Sequence, residues 1–252
     1  IAVAFYELRS TGDLILPILG LPDRLPIVPR PTVMTAMVAC MVLAAVMGGL
    51  IFFFVVRPLR NSPPLSALVA SLGLLIYLME IVRLRIGSQG ATGLVIDGIL
   101  PSGLIQIGET RINQDRIWLV LVTFSLSLIF AAIYKFTKFG RESRAVAENE
   151  RGASLLGISS KKVGLINWVL ASMIAGFLMI LAGPATRLDV NASSFLIVPA
   201  LAAALLARLN SFLMAAFAGL CIGMFQSELM NIQVEWSWLP DVGIQQGVPL
   251  LI

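Results

Sequence analysis

Residues 139–159, FGRESRAVAENERGASLLGIS, form a polar, glycine-punctuated insert between two apolar runs, 117–134 and 163–183, each long enough to cross a bilayer. A segment of that kind is where a membrane protein meets a soluble partner. Lipid offers the backbone N–H and C=O groups no partner, so uncharged runs of about twenty residues span it as helices. The composition agrees: 58% hydrophobic and 13% charged residues with mean hydropathy +0.92, against roughly 45–50% and 25% in an average soluble domain. A porin-like barrel would instead show alternating segments of roughly ten residues. The fold class expected is all-α, a polytopic transmembrane helical bundle.

Working outward from the insert, residues 135–162 hold seven bases and three acids. Upstream, 33–56 is an uncharged first span stopped by Arg57-Pro58-Leu59-Arg60-Asn61-Ser62-Pro63-Pro64, and 65–82 is a second with Glu80 near its far end. Residues 6–32, with three acids, three bases and five prolines, read as an extramembrane connection without a continuous helix. In the loop 83–116 the stretches GLVIDGILP and GLIQIGETRI alternate enough to predict a small outer β-hairpin. Downstream, 195–207 is too short for a relaxed span and contains Pro199, the pattern of a re-entrant or broken helix. Arg208-Leu209-Asn210 turns the chain, 211–226 returns it, and 228–241 carries three acids and no base. Alternating the spans gathers ten of the eighteen Lys and Arg residues on the side of the insert, which the positive-inside rule assigns to the cytoplasm. The acidic stretch then lies outside, where Trp118, Trp236 and Trp238 suit an aromatic belt. The chain opens on Ile1 and closes on an apolar Gly247–Ile252 stretch that reads as the start of another span, so both ends are expected to be cut from a longer protein.

Several function classes are excluded. There is no histidine, and Cys40 and Cys221 sit in apolar runs, where buried free thiols are expected. No zinc site and no Ser-His or Cys-His pair can be built within the chain, so no catalytic residue, metal or cofactor is expected. The +4 formal charge is explained by topology without invoking nucleic acid. Glu80, an acid within a predicted span, is a functional candidate by position; its place near the interface favours snorkelling or pairing with Arg83 or Arg85. Phe52, Phe53 and Phe54 read as packing or lipid-facing residues.

The insert itself reads as two short helices broken by glycine, 141–151 and 152–156, with Gly157 as a left-handed cap and Ser159 or Ser160 capping the next span. It projects Arg141, Arg144, Glu148, Glu150 and Arg151 and has no pocket for catalysis. Three pieces carry a resemblance: Thr137-Lys138-Phe139-Gly140-Arg141, Arg144-Ala145-Val146-Ala147-Glu148-Asn149 and Gly152-Ala153-Ser154-Leu155-Leu156-Gly157-Ile158. With Arg57-Pro58-Leu59-Arg60 and Pro63-Pro64-Leu65 before them, they resemble the inner-membrane permeases of ATP-binding-cassette importers for branched-chain amino acids. The likeness covers roughly 33–230; the whole chain would be one permease domain. Importers more widely carry a Glu-Ala-Ala-three-residue-Gly signature, matched here only by Ala153 and Gly157.

The resemblance implies that residues 135–162 hold the coupling helix that docks on the nucleotide-binding subunit, with Gly140, Arg141, Arg144, Ala145, Glu148, Gly152, Ala153 and Gly157 in that role; the alternative is an ordinary solvated loop. It implies ATPase subunits, a second permease subunit and an extracytoplasmic substrate-binding protein as partners. No Gly-x-x-x-x-Gly-Lys-Ser/Thr loop occurs, so ATP would be hydrolysed elsewhere. A sugar or nucleoside permease, a urea or short-amide permease, and an ATP-independent carrier or channel remain as alternatives. Where the family has a glycine-rich pair of late helices, this chain has Leu206-Ala207-Arg208-Leu209-Asn210, and Ala203, Ala204, Ala216 and Ala218 are expected to supply the close packing.

Overall fold

A computed structural model describes residues 1–17, 24–26, 31–60, 62–86, 98–101, 103–107, 110–186, 188 and 190–235. Its elements are α1 (Ala2–Thr11), β1 (Asp13–Ile15), β2 (Arg24–Pro26), α2 (Val33–Ile51), a π-helical turn (Phe52–Val56), α3 (Arg57–Leu59), α4 (Pro64–Ile86), β3 (Leu104–Ile107), β4 (Thr110–Asn113) and α5 (Gln114–Phe136). Then follow α6 (Lys138–Glu148), α7 (Glu150–Leu155), α8 (Ser160–Thr186), α9 (Val190–Phe195), α10 (Ile197–Leu206) and α11 (Phe212–Glu235). Among the described residues, five stretches are long and apolar enough to cross a membrane: Val33–Leu59, Leu65–Arg85, Gln114–Phe136, Ser160–Ala185 and Phe212–Leu229. The protein is a multi-pass membrane protein.

The chain divides into two compact units. The first, Ile1–Arg116 with Arg141–Val190, is organised around α1, α2 and α8. Phe5, Leu8, Cys40, Leu43 and Ile180 form its core, and the Tyr6 hydroxyl donates a buried 2.7 Å hydrogen bond to the Ile180 carbonyl. The α2–α8 contact is made by small residues. A Cβ at Gly48 would lie 2.5 Å from Ser172 Oγ and 2.9 Å from the Trp168 carbonyl, and one at Gly176 would touch the Ala44 methyl at 3.5 Å. Ala44 and Gly48, like Ser172 and Gly176, are four apart, the spacing that lets helix backbones approach in lipid. This unit corrects part of one expectation: within the stretch 6–32 read as a connection, residues 6–11 are the end of a helix that begins at Ala2 and buries Ala2, Ala4, Phe5, Tyr6 and Leu8. Gly12, at φ 86, ends it before any proline is reached, and β1 pairs antiparallel with β2.

The expected outer hairpin forms as β3–β4, with Ile105 opposite Ile112. It falls on the second alternating stretch and one residue beyond it, Asn113, while residues 93–97 of the first stretch lie outside the described residues. Glu80 pairs with Arg83 at 2.8 Å, the local alternative to a mid-membrane function. Cys40 is buried as expected, but Cys221 is exposed on α11, where an apolar face needs only lipid to cover it.

The second unit comprises Ile117–Gly140 and the described residues from Asn191 onward. The interrupted helix is present: α9 stops at Phe195 and α10 restarts at Ile197, with Pro199 in the first turn, where its missing N–H costs no helical bond. Ala202, Ala203 and Ile222 form a small α10–α11 core with Ala218 against it, and a Cβ at Gly219 would sit 3.7 Å from the Ala203 methyl. The connecting turn puts Arg208 (φ 52) and Leu209 (φ 56) in the left-handed region, so the backbone adopts here the geometry glycine favours with no glycine present. Phe130, Tyr134, Phe139 and Phe212 form a ring cluster joining the end of α5 to the start of α11. Trp118 is exposed near the opposite end of α5, while Trp236 and Trp238 lie outside the described residues.

Candidate functional site

Between α5 and α8 the chain makes an elbow of two helices, and each bend has a local cause. At the first, Thr137 Oγ1 donates to the Ile133 carbonyl and accepts from the Gly140 N–H at 3.2 Å, so the threonine closes α5 while opening α6. Gly140 is buried there, and a Cβ on it would overlap the backbone of Tyr134. Only glycine fits that approach.

The second bend corrects the expected boundary. The break falls at Asn149, not at Gly152. The Asn149 N–H bonds to the Ala145 carbonyl and ends α6, while its backbone turns extended at φ −151 and its side chain accepts from the Gly152 N–H at 2.9 Å and caps α7. An asparagine able to cap terminates a helix more decisively than a glycine that costs only about 1 kcal/mol inside one. Gly152 is thus the receiving end of the cap, and a side chain there would press on Asn149, whose Cγ lies 3.2 Å from the Cβ position.

Gly157 ends α7 as predicted, with φ +80. Ile158 N–H reaches the Ala153 carbonyl at 3.0 Å and Gly157 N–H the Ser154 carbonyl at 3.0 Å, the paired bonds of a Schellman ending. Ala153 is buried. Ser159 is the residue that precedes α8, its Oγ accepting from Lys162 N–H at 3.5 Å.

Two polar links fasten the elbow, within the first unit, to the end of the first span and to α8. Glu150, in the first turn of α7 where the helix dipole favours an acid, forms an ion pair with Arg60 and accepts from Ser160 Oγ at 2.9 Å. One carboxylate therefore joins the end of the first span, α7 and the start of α8. Ser143, 8% exposed on α6, accepts a 2.6 Å hydrogen bond from Asn167 of α8. Glu150 accordingly does not project free, as its place in a charged run suggested. Neither link is visible in sequence, because Arg60 and Glu150, like Ser143 and Asn167, are far apart in the chain.

Arg57–Leu59 is reached through the π-helical turn, which has its own cause. Pro58 has no N–H and its ring clashes with the carbonyl four residues back in a regular α-helix. Widening the preceding turn, so that Arg57 N–H bonds to Phe52 O, relieves the conflict. Phe52 is turned inward against Gly164, whereas Phe53 and Phe54 face out. Arg57 lies 5.9 Å from the Phe53 ring centroid.

The opposite face of the elbow is open. Arg141, Arg144 and Glu148, spaced three and four apart, are exposed on one side of α6, with Ala145 half-buried beside them. Leu155 and Leu156, at 89% and 80% exposure, project from the end of α7. These leucines are not among the residues the resemblance assigns to coupling, although two adjacent apolar residues in an otherwise polar insert are a signal visible in the sequence. The face thus carries two exposed leucines beside charged residues, and among the described residues no cluster of acids and cysteines fit to hold a metal exists.

Comparison with known proteins gives one family. The family model described as branched-chain amino acid transport system / permease component matches residues 2–242. The high-affinity branched-chain amino acid transport system permease protein LivH of Escherichia coli K12 is 32% identical over 156 residues, covering 58% of this chain and 48% of that protein. LivH of Salmonella typhimurium LT2 is 29% identical over 147 residues, with the same coverage. BraD of Pseudomonas aeruginosa, with the same description, is 26% identical over 200 residues, 77% of this chain and 64% of its own length. The chain thus spans about half the length of the LivH relatives it matches. No solved structure matches it.

Proposed function

Since the chain belongs to the family of branched-chain amino acid transport system permease components, we propose that it is a permease subunit of an ATP-driven importer in the cytoplasmic membrane. The observation that carries this reading is the elbow: a bent pair of helices, fastened on one face and open on the other. Gly140, Asn149 and Gly157 set its shape. The Glu150 and Ser143 links tie it to the ends of two spans, Val33–Leu59 and Ser160–Ala185. Arg141, Arg144, Glu148, Leu155 and Leu156 form the open face.

The mechanism follows from that arrangement. An ATPase subunit would seat Leu155 and Leu156 in an apolar groove and pair with the α6 charges. A flexible loop in that position would absorb the partner's movement. An elbow held by an ion pair and two short hydrogen bonds instead passes it to the first turns of α8 and the last turns of the first span. Those spans would then tilt so that a pathway shared with a second permease opens alternately to an external binding protein and to the cytoplasm. Branched-chain amino acids are the substrates this reading assigns, because the relatives are permease proteins of branched-chain amino acid transport systems.

The test exchanges two charges on the open face, Arg144→Glu with Glu148→Lys. The pair keeps its i, i+4 attraction with the acid now N-terminal, the better orientation for a helix, so insertion and abundance are expected to be unchanged. Uptake of labelled leucine and co-purification of the ATPase are expected to fall together, because mispaired charges in a docking groove are penalised. Normal uptake with the ATPase retained would move the docking surface elsewhere.

A further inference from the structure

Within the first unit, on the side of the elbow away from its open face, lies a cavity of about 640 Å³ bounded by the end of the first span, α4, α6 and the start of α8. Its lining is graded along the helices. Arg57, Arg60 and Lys161 line it near the ends of their helices, and Phe52, Leu74 and Trp168 line it further along them, with Ser71 and with Asn167, whose amide donates to Ser143. From Ser160 to Trp168 the α8 wall runs about 12 Å at the helical rise. Both long walls belong to stretches long and apolar enough to cross a membrane, and in a spanning orientation the charged ends of these helices would meet the headgroups and the apolar turns the hydrocarbon.

The charges do not cancel. Arg60 is neutralised by Glu150, but Arg57 and Lys161 have no carboxylate partner among the described residues. The start of the 27-residue α8 adds its positive dipole end at the same place. Two uncompensated cations above an apolar groove match one kind of molecule. We propose that this cavity binds an anionic phospholipid, its phosphate between Arg57 and Lys161 and one acyl chain along Phe52, Leu74 and Trp168.

A transported amino acid fits less well. The volume is several times that of a single amino acid, and the carboxylate that would face an α-ammonium group, Glu150, is already held by Arg60 and Ser160. A free phosphate would satisfy the cations and leave the apolar wall unused. A lipid headgroup satisfies both, and basic pockets between spans are the usual setting for such recognition.

Trp168 supplies the reporter. A variant with Trp118, Trp236 and Trp238 changed to Phe keeps one tryptophan of four, on the cavity wall. The full chain is placed in phosphatidylcholine nanodiscs doped with dibrominated phosphatidylglycerol or, separately, dibrominated phosphatidylcholine, and quenching is titrated. The expected result is half-maximal quenching at a mole fraction roughly ten- to thirtyfold lower for the anionic lipid, the preference two juxtamembrane cations supply. Lys161→Gln should reduce that preference several-fold, Arg57→Gln with Lys161→Gln should remove it, and Lys161→Arg should retain it. Should the double variant fail to insert, the Gln and Arg substitutions at Lys161 alone decide the matter. Equal quenching by the two lipids, or a preference unchanged in Lys161→Gln, would overturn the proposal. So would loss of the preference in excess inorganic phosphate, which would assign the cations to a soluble anion.

Discussion

Gly157 is the position where a single methyl group separates the shape of the elbow from the stability of the molecule. Its φ of +80 lies in the left-handed region, and a Cβ placed there meets nothing within 4 Å. The cost of Gly157→Ala is therefore conformational and not steric, about 1–2 kcal/mol for an L-residue in that region. Set against a whole bundle this is small. Set against α7, six residues long and far below the length at which an isolated helix is stable, it is large. Giving up the 3.0 Å bonds from Gly157 and Ile158 would let the last turn open, by a factor of roughly ten at the middle of that range, and Leu155 and Leu156 would lose their fixed direction. The assay is paired: thermal stability of the purified protein beside leucine uptake and ATPase co-purification in membranes. Gly157→Ala should leave the melting temperature nearly unchanged while uptake falls several-fold. Gly157→Val should be worse through β-branching, and Gly157→Asn should recover part of the loss because asparagine tolerates the left-handed region. Unchanged uptake in both the Ala and Val variants would refute the argument that the cap fixes the docking face; a large drop in melting temperature would show that the cost is not local.

Two further predictions test the orientation and the helix contact. Ser154→Cys, at an exposed position on α7, should react with a membrane-impermeant thiol reagent only after permeabilisation; labelling of intact cells would invert the topology. Gly48→Ala should destabilise the first unit by about 1–3 kcal/mol by forcing α2 from α8, whereas Gly49→Ala, whose Cβ meets nothing within 4 Å, should be neutral or slightly stabilising; equal melting temperatures for the two would refute the small-residue contact.

The parts of this fold that sequence reveals are those governed by local rules. The spans are legible because an uncharged run of sufficient length has one solution in lipid. The Gly157 ending was legible because a glycine after Leu155-Leu156 is the common way to close a helix, and the interruption before Pro199 because the apolar run there is too short. What sequence hides is set by partners distant in the chain or by competition between two local signals. Asn149 and Gly152 both suggest a break, and the asparagine prevails because it supplies a hydrogen bond where glycine supplies only freedom. Glu150 reads as one charge among many until Arg60 and Ser160 are brought to it. Helix α1 is short and unremarkable in composition, and its burial is decided by α2 and α8. At Arg208 and Leu209 the departure from glycine is plain in the sequence, but that the turn keeps left-handed geometry without it is visible only in the backbone.

The central claim is that the open face of the elbow is where the ATPase docks. A photo-crosslinking amino acid at Leu156, with one at the exposed Leu72 within the α4 span as control, tests it in intact membranes when the product is identified by mass. The account predicts that the Leu156 probe captures the ATP-binding-cassette subunit in high yield and the Leu72 probe does not. A Leu156 probe that captures only lipid or water, in membranes where the ATPase is present and uptake is active, would contradict it.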